Sequence, residues 1–183
     1  MRIAFVALPL LALAACNHSG KSTSMGRVKD APPSVIASTQ LLGSSGELRG
    51  TARLEQRADG TRVLASVVGL PPGQHGIHLH TTGKCDAPGF TTAGGHFNPT
   101  AKMHGSMNPM GPHAGDLPNI EVAADGRGKV EFTIPSLSLI DGPAALLDAD
   151  GAALVVHAGP DDLKSDPAGN SGGRIACGII ARR

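Results

Sequence analysis

Seven of the eight histidines, His75, His78, His80, His96, His104, His113 and His157, occupy the stretch from residue 75 to residue 157. Imidazole is the commonest protein ligand for borderline metals such as zinc and copper. His78 and His80 stand two residues apart in H-G-I-H-L-H. In an extended strand such a pair projects to one side, with Cα atoms roughly 6.5–7 Å apart, so both rings can ligate one ion. His157 ends the run V-V-H and can supply a third nitrogen from another strand. His96, His104, His113 and Asp116 differ in kind. Their spacing is H-x7-H-x8-H-x2-D inside a stretch rich in Gly, Pro and Met. Three imidazoles and a carboxylate form a reasonable tetrahedral zinc set. Closing it would order a loop that has little structure of its own.

These side chains need a frame, and the chain supplies short strand-like runs. They cover 34–42, 46–56, 61–68, 76–80, 120–124, 129–134, 152–157 and 174–180. The breaks Ala58-Asp59-Gly60 and Asp125-Gly126-Arg127-Gly128 read as turns. No helical period competes. An all-β, eight-stranded antiparallel sandwich or barrel fits this pattern. Two long stretches, 81–119 and 158–173, carry most of the remaining metal-binding side chains, so both are read as functional loops.

The composition agrees. Hydrophobic residues make up 40% of the 183, yet aromatics only 2%, with no Trp or Tyr, so the core is aliphatic. The 25 Gly and 14 Pro favour strands and turns. A formal net charge of +1 and no clustered basic surface argue against a nucleic-acid partner. Residues 1–15 read as a signal peptide: Arg2, then an apolar run too short to span a bilayer. The sequence Leu13-Ala14-Ala15-Cys16 has the form of a bacterial lipobox, in which Cys16 would carry acyl chains and hold the protein to a membrane. An ordinary cleavage site is the alternative. Residues 16–33 read as a lipid-anchored flexible tether and 34–183 as the domain. Cys85 and Cys177, in an exported chain, read as a disulfide, which the chain-entropy model values at roughly 4–5 kcal/mol.

The segments G-Q-H-G-I-H-L-H, A-G-G-H-F-N-P, H-A-G-D-L-P-N, V-V-H-A-G-P-D-D and G-N-S-G-G-R-I-A-C-G-I-I resemble the copper/zinc superoxide dismutases, in the family's order and with the closest likeness to the exported bacterial branch. The resemblance implies a Greek-key barrel and one copper and one zinc per subunit. It implies copper ligands His78, His80, His96 and His157, and zinc ligands His96, His104, His113 and Asp116, with the His96 ring shared. Asp161 matches the carboxylate that hydrogen-bonds a histidine of each site, in preference to Asp162. Arg174 matches the active-site arginine that meets the superoxide anion, so Arg174 and His96 are the expected catalytic residues. His75 matches a structural position. The signal segment and lipobox point to a periplasmic or cell-envelope location. The family includes monomers and dimers, and the likeness leans only weakly towards a homodimer.

Several residues stay outside the pattern. Lys84 and Lys164 could add to an attractive field. Met103, Met107 and Met110, or His18, could bind copper transiently. The rival reading is a copper-binding or metal-delivery envelope lipoprotein of the same fold without turnover. That role has no use for a shared ligand or an anion-guiding arginine.

Overall fold

The computed structural model describes residues 33–183 apart from residue 136. The signal segment, Cys16, His18 and all but the last residue of the tether lie outside the described residues.

The strands are β1 (Val35–Leu42), β2 (Leu48–Arg57), β3 (Gly60–Val67), β4 (Gly73–His75), β5 (Ile77–His80), β6 (Ile120–Val122), β7 (Gly128–Ile134), β8 (Ala153–His157), β9 (Arg174–Ile179) and β10 (Ala181–Arg182). A 3-10 turn at Thr91–Ala93 is the one helical element among the described residues. The hydrogen-bonded order is β4-β6-β7-β3-β2-β1-β9-β8-β5, with β10 beside β1.

Only Gly76 separates β4 from β5, yet the two lie at opposite ends of that order. The first half of this extended run pairs with β6 (His75↔Ile120), the second with β8 (Ile77↔Val156). One continuous run therefore links the two ends and nearly closes an antiparallel barrel. Closure matters because it leaves little exposed edge. Eight of the ten strands coincide with the runs read from the sequence to within two residues at each end. The two extra ones are three and two residues long.

Period-two alternation builds the core. Along β3, Thr61, Val63, Ala65 and Val67 are buried while Arg62, Leu64 and Ser66 are less so. β5 and β8 are buried at every position. On β5, Ile77 and Leu79 join the main aliphatic core, with Leu154 and Val156 of β8. His78 and His80 take the opposite face. Ala153 and Val155 pack in a second small cluster with Phe90, Ala93 and Cys177. Both strands that carry these histidines, β5 with His78 and His80 and β8 with His157, are thus covered on each side, which fixes their backbones. A third long connection, between β7 and β8, was not singled out in the sequence. It tucks Leu137, Leu139 and Leu146 into the core and is pinned by Thr61 Oγ1 donating to Leu137 O at 2.8 Å. Its role is packing.

Candidate metal centre

His78 and His80 leave β5 on one face, and His157 ends β8. The loop 81–119 folds back along them. Its chain forms isolated bridges His80↔His96 and His78↔Asp116, with Phe97 N–H donating to Leu79 O at 2.8 Å. This brings the side chains read as ligands into two groups, beside a third set, His78, His104 and Asp161, that hydrogen bonds already join. In each, the potential ligand atoms lie within 4.8 Å of one another: His78, His80, His96 and His157, and His96, His104, His113 and Asp116. His96 belongs to both.

The hydrogen bonds decide which nitrogen of each ring carries its proton. A carbonyl or carboxylate oxygen only accepts, so the ring nitrogen facing it is the N–H. His80 Nδ1 faces Gly94 O at 2.9 Å, and His157 Nδ1 faces Gly172 O at 3.2 Å. His78 Nε2 faces Asp161 Oδ2 at 2.7 Å, and His96 Nδ1 faces Asp116 Oδ1 at 2.9 Å. The other nitrogens, His78 Nδ1, His80 Nε2, His96 Nε2 and His157 Nε2, are buried and have no hydrogen-bond partner. A buried polar atom left unsatisfied costs about 1–3 kcal/mol. Four such lone pairs brought to within one ligand sphere fit a cation, and four imidazole nitrogens suit copper.

In the second group, the Nδ1 atoms of His96, His104 and His113 converge on Asp116 Oδ1 at 2.9, 3.1 and 3.2 Å. Asp116 Oδ2 is held by Gly105 N–H at 2.8 Å and His113 N–H at 3.0 Å. Three nitrogens and one oxygen match a closed zinc site.

Burial and the neighbouring imidazoles depress His80, His96 and His157 to about 2, 4 and 3. These rings therefore stay neutral and keep their lone pairs. His104 goes the other way. Burial opposes its charge, but hydrogen bonds to Asp116 and Asp161 outweigh this and raise it to about 9. Burial opposes the charge on Asp116 and Asp161 too, yet hydrogen bonds from His104 and its fellow histidines hold both well below the usual carboxylate range.

Asp161 is buried between the groups and accepts from His78 Nε2 at 2.7 Å and His104 Nε2 at 3.0 Å. Asp162 is exposed and caps its own loop through the Lys164 and Ser165 N–H groups. The disulfide Cys85–Cys177 is formed. It joins the loop 81–119 to β9, next to Arg174. That guanidinium donates to Phe90 O and Gly94 O, both at 2.7 Å, and lines a cleft of about 360 Å³ with His96 and His157. Gly94 O thus holds a group-one imidazole and the arginine together. Only glycine readily adopts the Gly94 conformation (φ 77°, ψ −157°), and a Cβ there would sit 2.5 Å from Thr81 Oγ1.

His75 lies outside both groups, its ring nitrogens 2.8 Å from His157 O and 2.9 Å from Pro71 O. Lys84 and Lys164 do not line the cleft; Lys102 does. Met107 and Met110 are exposed. Asn119 was not read from the sequence as a site residue. Its carboxamide accepts from Asp161 N–H and donates to Asp161 O, both at 2.8 Å, so it clamps the backbone that carries the shared carboxylate. Asp166, also unread, accepts from His104 N–H at 2.6 Å.

This two-group arrangement on a nearly closed barrel has counterparts. Residues 48–180 match the model of the family described as copper/zinc superoxide dismutase. The chain belongs to that family. A Cu-Zn superoxide dismutase of Aquifex aeolicus is 46% identical over 146 residues, covering 79% of this chain and 85% of the relative. One from Caulobacter vibrioides is 42% identical over 147 residues, covering 79% and 84%. Among solved structures, a double mutant of a SOD-like protein from Bacillus subtilis matches with a TM-score of 0.74 at 44% identity, covering 77% of this chain and 94% of that one. As a member of this family the chain is an oxidoreductase. Its substrate is superoxide and its cofactors are copper and zinc.

Proposed function

We propose that the four-nitrogen group His78, His80, His96 and His157 holds copper, and that His96, His104, His113 and Asp116 hold zinc. His96 would serve both groups, with Nε2 turned to the first and Nδ1 to the second. The observation that carries this is the set of four buried, protonless nitrogens aimed at one another, one of them on a ring whose other nitrogen faces Asp116.

Bound in the first group, copper would supply reversible one-electron chemistry, by which one superoxide would leave as dioxygen and a second, with two protons, as hydrogen peroxide; zinc, which has no redox chemistry, would order the loop. The chain does the rest. Arg174 is seated on two carbonyls, and its remaining N–H groups are free to meet a small anion at the cleft. When not serving as a ligand, His96 Nε2 would hold one of the two protons that the peroxide needs, the other coming from water, while the Nδ1 side of the ring stays anchored at the Asp116 group. Asp161 and Gly94 O fix ring orientation, so little reorganises between half-reactions. A metal-delivery protein without turnover would have no use for Arg174 at the cleft.

We further assign residues 1–15 to a signal peptide and Cys16 to a lipid anchor, with 16–33 as tether and 34–183 as the domain. This places the enzyme in the cell envelope, where it would protect against oxidative damage. Lipid-precursor labelling of the parent and Cys16→Ser decides the anchor; equal labelling would refute it.

The test of the site is superoxide removal by protein loaded with copper and zinc. Arg174→Ala is expected to lower kcat/KM about ten-fold or more at unchanged metal content. His96→Ala is expected to lower both turnover and metal content. Full activity in copper-free protein would overturn the mechanism.

A further inference from the structure

The far side of the barrel from the metal groups has a charge pattern that the ligands do not explain. Three strands separate β5 from β2 in one direction (β8, β9 and β1), and three separate it from β3 in the other (β4, β6 and β7). β2 and β3 therefore stand opposite the outward histidines of β5. On β2, Thr51, Arg53, Glu55 and Arg57 alternate with buried Ala52 and Leu54; on β3, Arg62, Leu64 and Ser66 alternate with buried Val63 and Ala65. The former side chains point out of the barrel. Glu55 accepts from Arg53 Nε at 2.8 Å and Arg57 Nη2 at 2.6 Å, and Arg62 Nη1 lies 3.5 Å away. The Glu55 side chain is 9% exposed, those of Arg53, Arg57 and Arg62 51%, 18% and 31%. The carboxylate thus lies beneath and the guanidiniums outermost. Arg62 also reaches Glu131 on β7 at 2.7 Å, and Lys129, two residues before Glu131 on the same face, is exposed. Cross-strand pairing accounts for one arginine per carboxylate, not for three over one.

We propose that this face rests on the phosphate headgroups of an anionic phospholipid surface, and so turns the metal centre towards the aqueous side. The inference rests on the lipid-anchor reading of Cys16 above. Charge complementarity supports it. At these strand positions four cations, Arg53, Arg57, Arg62 and Lys129, stand against two carboxylates, Glu55 and Glu131. Residues 33–183 as a whole carry twelve Lys and Arg against fourteen Asp and Glu, which leaves eight cations against twelve carboxylates elsewhere. An anionic surface therefore attracts this face and repels the rest of the domain. Arg53 gives Glu55 only its Nε–H, so its two terminal amino groups are left for phosphate oxygens. The point of entry of the chain agrees. Ser34 N–H donates to Gln56 O at 3.1 Å, next to Arg57, so the segment from Cys16 joins the domain at the edge of this face. A flexible chain the length of residues 16–33 spans roughly 21–25 Å. It brings Lys21, Arg27 and Lys29 against Asp30 to the same side.

The experiment uses residues 16–183 with Cys16→Ser, loaded with copper and zinc, so that the face acts without the anchor. Co-sedimentation with vesicles of phosphatidylglycerol and phosphatidylcholine in equal parts is compared with that on phosphatidylcholine alone. Binding is expected to be about 10-fold stronger on the anionic vesicles at low salt, and less than about 2-fold stronger near half-molar salt. Arg53→Gln combined with Lys129→Gln should lower low-salt binding to the anionic vesicles about 5- to 20-fold. It leaves Arg57 and Arg62 on Glu55, so the urea midpoint and superoxide removal should stay parental. Lys84→Gln combined with Lys164→Gln makes the same charge change on the loops of the metal side, and should follow the parent to within about 2-fold. A quencher carried on the headgroups should dim a fluorophore attached at Thr51→Cys and spare one attached at Lys164→Cys.

Equal lipid labelling of the parent and Cys16→Ser would sink the anchor reading itself. The face is overturned separately, by anionic binding no stronger than neutral, by equal losses in the two double variants, or by a quencher that reaches both labels alike. Inorganic phosphate that displaces the protein from vesicles more than chloride of equal ionic strength would also overturn it, in favour of a soluble anion at the three arginines.

Discussion

Gly169→Ala tests the link between the two metal groups through a single methyl. Gly169 has φ 61°, and a Cβ there would lie 1.8 Å from Asp161 Oδ1 and 2.7 Å from His104 Nε2. The left-handed backbone alone costs a non-glycine residue about 1–2 kcal/mol. The overlap with Oδ1 cannot be tolerated, so the carboxylate or its loop must move. Asp161 Oδ1 accepts from His104 Nε2 at 3.0 Å and Leu163 N–H at 2.6 Å. Losing one charge-assisted bond of this kind costs about 1.5–3 kcal/mol. Together the two terms give roughly 2.5–5 kcal/mol of destabilisation. A displaced carboxylate also frees the His104 ring, which should weaken zinc binding about 10- to 100-fold. Gly142→Ala is the reference, because Gly142 has φ 83° and nothing within 4 Å of its would-be Cβ. It isolates backbone strain from the clash. Urea unfolding of the metal-free domain and zinc competition against a chromogenic chelator measure both quantities. If Gly169→Ala matches Gly142→Ala in stability and keeps parental zinc affinity, Asp161 is not the tie that its geometry suggests.

Two further outcomes follow from other contacts. Replacing Cys85 and Cys177 by Ser should lower the unfolding free energy by about 3–5 kcal/mol. It should also lower kcat/KM several-fold at full metal loading, because Phe90 O and Gly94 O, which seat Arg174, lie on the segment the bridge holds; parental urea midpoints and turnover would contradict this. The metal-free domain should lose stability on acidification. His80, His96 and His157 sit at about 2, 4 and 3 in the fold. Between those values and the ordinary 6.5 the unfolded chain binds more protons, so stability falls as pH drops below about 6.5, by up to about 1.4 kcal/mol per pH unit for each ring. His104 has the opposite sign. Its value of about 9 means that its contribution is complete below about 6.5 and is lost as pH rises through 9. Urea midpoints at pH 5.5, 7 and 9.5 should therefore peak at 7, and a flat profile would contradict the burial argument.

The strand frame was legible because its signals are local. The run Thr61–Val67 alternates by itself, and Ala58-Asp59-Gly60 marks its turn. The strand at Gly73–His75 was missed because Pro71, Pro72 and Gly73 mask three residues whose partner lies at 120–122. The grouping of the seven side chains proposed as ligands was also legible, from the spacing of the histidines and, for the sharing of His96, from the family resemblance. Of their supports, Asp161 was legible through the family resemblance, but the others were not. Asn119 ends the segment H-A-G-D-L-P-N, so it was in view, but an asparagine beside proline reads as turn chemistry. What Asn119 does depends on Asp161, 42 residues away in sequence. Lys102 carried no signal at all, because which of several solvated lysines reaches the cleft depends on how the 81–119 loop is folded. For Lys84 and Lys164, accordingly, the sequence favoured an ordinary solvated lysine over a place near the site.

The supports explain why so few atoms control so much. Asp161 grips one ring from each metal group, and Gly94 O grips His80 and Arg174. Neither Asp161 nor Gly94 is among the side chains proposed as ligands. Each couples two functions that the strand frame would otherwise leave independent: ligand orientation in one group with that in the other, and ligand orientation with the placing of the substrate cation. A loop able to relax would let these pairs drift separately. Instead the disulfide and Asn119 hold the backbones on which Gly94 and Asp161 sit, so the tolerance of the centre is set by the loop anchors more than by the barrel. Changes at Gly94 should accordingly disturb ring orientation and anion handling together. A barrel substitution such as Leu154→Ala should lower stability while leaving their ratio unchanged.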